Sequence, residues 1–155
     1  MDDAPNGMWP HGRPYVGQVA ERSRTVTRDD IELFAQISGD RNPLHFDDEY
    51  AARTRFGGVV VQSGLITGIL NWVCAEEIPG PGTVWIHTDW HLQAPVRPGD
   101  TITGRAEVLK VRDDKPITVV RTTVTRGDGV VSVDGTAVCY TFPQPDPLTA
   151  DADAA

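Results

Sequence analysis

Ser63-Gly64-Leu65-Ile66-Thr67-Gly68-Ile69-Leu70-Asn71-Trp72-Val73-Cys74-Ala75-Glu76-Glu77, followed after Pro79-Gly80-Pro81-Gly82 by Thr83-Val84-Trp85-Ile86-His87-Thr88-Asp89-Trp90, is where the period of the chain changes. Leu65, Ile66, Ile69, Leu70, Val73 and Cys74 recur at helical spacing and share one broad face. The helix is apolar nearly all round at its start, so its place is inside a core. Gly64 and Gly68 stand four apart on it and leave room for a backbone or a ligand, or for close packing on a sheet. The Pro-Gly run ends the helix. Beyond Thr83 the period is two, with Val84, Ile86, Thr88, Trp90, Leu92 and Ala94 on one face. Trp85, His87, Asp89, His91 and Gln93 fall on the other, which is expected to face outward.

The strands continue downstream. Thr101–Val111 has Ile102, Ala106 and Val108 inward; Ile117–Arg126 and Val130–Phe142 follow, joined by Gly127-Asp128-Gly129 as a hairpin turn. Gly135 is expected to mark a bulge. Upstream, Tyr15–Val26 reads as a weak strand. Thr27 is placed as a helix N-cap with Asp29 and Asp30 in the first turn. Ile31, Phe34, Ala35 and Ile37 form that helix's apolar stripe, and Gly39 stops it. Asp47, Asp48 and Glu49 open a short second helix. Early helices, a buried long helix and late antiparallel strands define an α+β domain with a sheet packed on one helix.

The chain's 155 residues make one domain, long enough to bury its own core. Residues 1–14 carry Pro5, Gly7, Pro10, Gly12 and Pro14 and read as an arm without regular structure, with Trp9 as its anchor. Residues 15–142 are the folded domain. Residues 143–155, rich in Pro, Asp and Ala, read as a disordered tail. The net charge of −8 argues against nucleic acid or an anionic membrane as partner. No stretch is long and apolar enough to span a bilayer, and the acidic start lacks the features of a signal peptide. A cytoplasmic protein is expected. Cys74 and Cys139 read as two buried reduced thiols. His11, His87 and His91 read as surface or interface residues, and no metal-ligand pattern is evident.

One loop concentrates the chemistry: Ser38-Gly39-Asp40-Arg41-Asn42-Pro43-Leu44-His45. Gly39 and Pro43 bend the backbone around a carboxylate, an amide and an imidazole. A His beside a carboxylate moves protons near neutral pH. The plain alternative is a local turn built from Asp and Asn.

The run from Phe34 through His45, then five residues, then Ala51, resembles the signature of the (R)-specific enoyl-CoA hydratases, members of the MaoC-like group of hot-dog-fold proteins. Ala94-Pro95-Val96-Arg97-Pro98-Gly99-Asp100 is similar to the family's Pro-Val-x-x-Gly-Asp turn. The resemblance covers roughly Val16 to Phe142. It implies a single hot-dog domain, an antiparallel sheet wrapped around Ser63–Glu77. It also implies that Asp40 and His45 are the catalytic pair, that Asn42 positions the water, and that Ser63 and Gly64 serve the thioester oxygen through a backbone N–H. Many members carry His-Gly where this chain has Ser63-Gly64, preceded by Gln62. That departure bears on the substrate pocket.

The implied reaction adds water across the 2,3 double bond of an enoyl-CoA or enoyl-carrier-protein thioester, giving the (3R)-hydroxy product. It requires no metal or redox cofactor, and no motif for one is present. A homodimer is expected from the resemblance. The competing readings are a hot-dog acyl thioesterase and a non-catalytic acyl-binding subunit of a heterodimer.

Overall fold

The computed structural model describes residues 7–143. Its spine is helix α4, Ser63–Glu76. Ile66, Ile69, Leu70, Val73 and Cys74 of α4 are all buried, as the helical spacing requires. They pack on a five-stranded antiparallel sheet of β1 (Val19–Thr25), β2 (Thr83–Leu92), β3 (Thr101–Val111), β4 (Ile117–Arg126) and β5 (Val131–Thr141). The order across the sheet is β1-β3-β4-β5-β2, so the strand that follows α4 in sequence becomes an edge. On β3, Ile102, Gly104, Ala106 and Val108 alternate inward. Gly104 is required there, because a Cβ would lie 2.8 Å from Ile69 Cγ2.

The alternation of β2 departs from strict period two. A register shift between Trp85 and His87 inserts Ile86 as an extra residue. Trp85 and Trp90 therefore both pack against the core, edge to face at 5.0 Å. Trp90 Nε1 donates to Thr122 Oγ1 at 2.8 Å. The expectation that Trp85 faces outward and Val84 and Ile86 inward is thus reversed: Val84 and Ile86 are 46% and 56% exposed. Gly135 marks no bulge. It pairs regularly with Thr122 and Trp90, and a Cβ there would lie 1.9 Å from the Asp89 carbonyl oxygen. Two strands approach so closely that only glycine fits.

Three short helices precede α4: α1 (Arg28–Ser38), α2 (Pro43–Phe46) and α3 (Asp48–Ala52). Thr27 caps α1 in a reciprocal box with Asp30, whose carboxylate also pairs with Arg24. Of the apolar stripe on α1, Ile31 and Ala35 are buried, while Ile37 is 86% exposed and plays no part in the core. Residues 7–14 form turns without helix or strand, and Arg13 pairs with Asp113. The expected tail lies almost wholly outside the described residues. Cys74 and Cys139 are both free and buried in one apolar cluster with Val73 and Val108. Among the described residues no helix is long and apolar enough to cross a membrane.

Candidate active site

The loop between α1 and α2 is built from local hydrogen bonds. Gly39 sits at φ 76°, the left-handed conformation glycine adopts without steric cost, and its N–H donates to the Ala35 carbonyl. Ser38 Oγ donates to the Phe34 carbonyl at 2.7 Å and accepts from the Asp40 N–H at 3.1 Å. The Asn42 N–H donates to Asp40 Oδ1 at 3.2 Å. Asn42 Oδ1 in turn accepts from the Leu44 N–H and caps α2, whose first residue is Pro43. The turn reading and the catalytic reading of this loop are therefore compatible. The turn fixes one carboxylate oxygen of Asp40 and leaves the other free.

That second oxygen, Oδ2, lies 3.5 Å from His45 Nε2. The other ring nitrogen of His45, Nδ1, is 2.7 Å from the Val60 carbonyl oxygen. A carbonyl only accepts, so Nδ1 carries the proton. In the neutral imidazole Nε2 then presents a lone pair towards Asp40. In that state two acceptors face each other, with the imidazole side chain 11% exposed and the carboxylate 39% exposed. A water bridging the two from one side can donate one O–H to each and turn its own lone pair outward. The site thus has what general-base activation of water requires.

Val60 also ties this loop to α4. Its N–H donates to the Leu44 carbonyl at 3.1 Å. Three residues on, α4 begins without a side-chain cap. Gln62 lies buried before it, with Nε2 donating 3.0 Å to the Ile31 carbonyl of α1. The N–H groups of Leu65 and Ile66 both donate to the Gln62 carbonyl, whereas those of Ser63 and Gly64 have no acceptor among the described residues. They are free donors at the positive end of the helix dipole. A Cβ at Gly64 would meet the tip of the Phe34 ring at 2.5 Å, so the glycine admits a packing contact from α1. The ring of α1 packs on the glycine. Gly68 has open space instead, and both glycines line a cavity of about 460 Å³ with Phe34, Leu65 and Trp72. On the other flank of the helix start, Val60, Ser63 and Ile66 line a cavity of about 270 Å³.

The candidate residues thus fall into two groups. Asp40, Asn42 and His45 share one loop. Ser63 and Gly64 share the helix start that Val60 and Gln62 fasten to that loop and to α1. The role of Val60 was not readable from the sequence, since a carbonyl contributes no residue type to a motif. Gln62 was visible as a departure, but its bond to Ile31 needs the fold. His87 and His91 lie exposed on the edge strand β2.

A single sheet wrapped on one helix, with an Asp–His loop at the helix start, defines a hot-dog domain equipped to handle water. The MaoC like domain family matches residues 11–129, and the chain belongs to that family. It is 33% identical over 123 residues to an (R)-specific enoyl-CoA hydratase of Aeromonas caviae, covering 79% of this chain and 92% of that one. It is 36% identical over 121 residues to an (R)-specific enoyl-CoA hydratase of Rhodospirillum rubrum, covering 78% and 83%. The solved (R)-hydratase structure from A. caviae superposes with a TM-score of 0.80 at 32% identity, covering 83% of this chain and 98% of that one.

Proposed function

We propose that the protein is a hydro-lyase that adds water reversibly across the 2,3 double bond of an enoyl thioester and forms the (3R)-3-hydroxyacyl thioester. The observation that carries this reading is the approach of Asp40 Oδ2 and His45 Nε2 to 3.5 Å, with Nδ1 of the imidazole held by the Val60 carbonyl. A water held by both gives its oxygen to C3 as one acceptor takes a proton. Electrons move onto the thioester oxygen, where the free Ser63 and Gly64 N–H groups and the helix dipole stabilise the enolate. The enolate collapses by taking a proton at C2, returned from the protonated pair. H and OH are added, and no redox change occurs. Asn42 contributes twice, through its backbone N–H to Asp40 and through its side-chain NH₂, which can hold the water.

The acyl group arrives on CoA or on a carrier protein, and the protein works in the cytoplasm. It acts as a homodimer. The edge strand β2 carries the exposed apolar residues Val84, Ile86 and Leu92, whereas the opposite edge, β1, carries Glu21, Arg22 and Arg24. Charged edges resist pairing, and an apolar edge invites it.

Crotonyl-CoA supplied to the purified chain tests the reaction. Loss of the enoyl-thioester absorbance without release of free thiol is the expected result. Release of CoA thiol instead makes it a thioesterase, and no change in either makes it an acyl-binding subunit. Oxidation of the product by an (S)-specific 3-hydroxyacyl-CoA dehydrogenase would contradict the (3R) assignment.

A further inference from the structure

Arg55 is a cation without a carboxylate in a chain with carboxylates to spare, 22 Asp and Glu against 14 Lys and Arg. Among the described residues ten arginines pair with a carboxylate. The two that do not, Arg55 and Arg97, serve the same loop. Arg97 spends its guanidinium inside the protein, on the Phe56 and Val59 carbonyls. Arg55 has no hydrogen-bond partner among the described residues, and its guanidinium rests 5.2 Å from the centroid of the Phe56 ring.

The backbone beneath Arg55 is held on both sides. Thr54 Oγ1 donates to the Ala51 carbonyl at 2.7 Å and accepts from the Phe56 N–H at 3.2 Å, and the Gly57 N–H donates to the Thr54 carbonyl at 3.0 Å. A free guanidinium on a braced loop costs little ordering entropy when it meets an anion. Its position supplies the anion. Arg55 lines the 270 Å³ cavity with Phe56, Val60, Ser63, Ile66 and Gln93. Val60, whose carbonyl holds His45, is among the lining residues, and Ser63 opens α4. The cavity therefore joins the residue that holds His45 and the first residue of α4 to an unpaired arginine, between mainly apolar walls, with neither Asp40 nor His45 in its lining.

An acyl thioester reaches such a centre on a pantetheine arm, and in CoA and carrier proteins alike that arm ends in a phosphate. A planar guanidinium suits a phosphate because it can donate two parallel hydrogen bonds. We propose that Arg55 anchors this phosphate, with the arm lying in the cavity between Phe56 and Ser63. The inference rests on the acyl-thioester reading above and deepens it. Arg55 is a binding residue and takes no part in proton transfer.

The test compares wild type, Arg55→Ala and Arg55→Lys on crotonyl-CoA, crotonyl-4′-phosphopantetheine and crotonyl-pantetheine, which lacks phosphate. For Arg55→Ala, KM for both phosphorylated thioesters should rise about tenfold, the scale of a lost charge-assisted hydrogen bond, with little change in kcat. The preference for phosphorylated over phosphate-free thioester should fall by the same factor. Arg55→Lys should recover part of it, and high salt should narrow the difference. An equal loss on all three thioesters, or no loss on any, overturns the proposal. A loss confined to crotonyl-CoA would put the arginine on the nucleotide and also overturns it. If wild type hydrates none of them, the hydratase reading fails, and calorimetric binding of 4′-phosphopantetheine against pantetheine still decides on Arg55: an unchanged Kd ratio in Arg55→Ala overturns the assignment.

Discussion

Asp40 and His45 act on one water, so their removal should not add. Asp40→Asn and His45→Gln are each expected to cut hydration by about a hundredfold to ten-thousandfold. The double variant should be little worse than the poorer single. Steady-state rates on crotonyl-CoA, with melting curves as a folding control, read this out. Two folded single variants with near-wild-type turnover would remove the pair from the chemistry. Gly64 calls for the opposite experiment. Because the Phe34 ring fills the space of its missing side chain, Gly64→Val should cost about 1–3 kcal/mol of stability, as overpacking does. Phe34→Leu in the same chain should restore part of that in urea titrations. Full stability with lost turnover would return the glycine to ligand approach. At this scale the sequence was legible where residue type carries the chemistry, as in the Asp-x-Asn-Pro-x-His loop. It was silent on Val60, whose contribution is a carbonyl.

Among the elements, α1 shows how a cap depends on ionisation. Burial pushes the Asp30 carboxyl up, yet the Thr27 N–H and hydroxyl and the Arg24 guanidinium together hold it below its ordinary value of 3.8. A carboxyl depressed in the fold stabilises it above the unfolded value, and that stability is lost as pH falls through the folded value. Asp30→Asn should therefore cost about 1 kcal/mol near neutral pH, the scale of a lost cap. The gap to wild type should close as pH drops below 4 in acid titrations followed by circular dichroism. A gap independent of pH would assign the cost to shape alone. The Thr27 cap, the Gly39 stop and the strand limits Thr101–Val111 and Ile117–Arg126 were all readable, because caps and turns are local. The face of β2 at its start, Val84–Ile86, was not. One inserted residue, Ile86, exchanges the two faces for Val84 and Trp85, while His87, Asp89, Trp90 and His91 keep the faces the alternation gave them, and a bulge is fixed by the partner strand β5 rather than by β2's own pattern.

For the whole molecule, the sheet order places β2 at an edge, a long-range fact that periodicity does not contain. The expectation of a dimer stands on different residues from those the alternation picked out: Val84, Ile86 and Leu92 rather than Trp85, His87 and His91. Ile86→Lys places a charge on that edge and should weaken the assembly by at least about tenfold in Kd. Light scattering should find wild type at twice the chain mass of 16.9 kDa and the variant shifted towards one chain at micromolar concentration. A wild-type protein that stays at one chain mass would remove the dimer. The α+β arrangement itself was legible because one buried helix and four strands in series leave few ways to cover both.

Gly135 bears on how this protein would look to a genetic screen. The Asp89 carbonyl occupies the space where any side chain would begin. Every substitution at 135 should force the two strands apart, so a saturation library scored by growth would rank this position beside Asp40 and His45. Scoring the same library for cellular abundance separates them: variants at 40 and 45 should accumulate as inert protein, while those at 135 should be cleared. A map of intolerant positions in this fold is therefore a superposition of two maps, and only the second measurement tells which sites belong to the reaction.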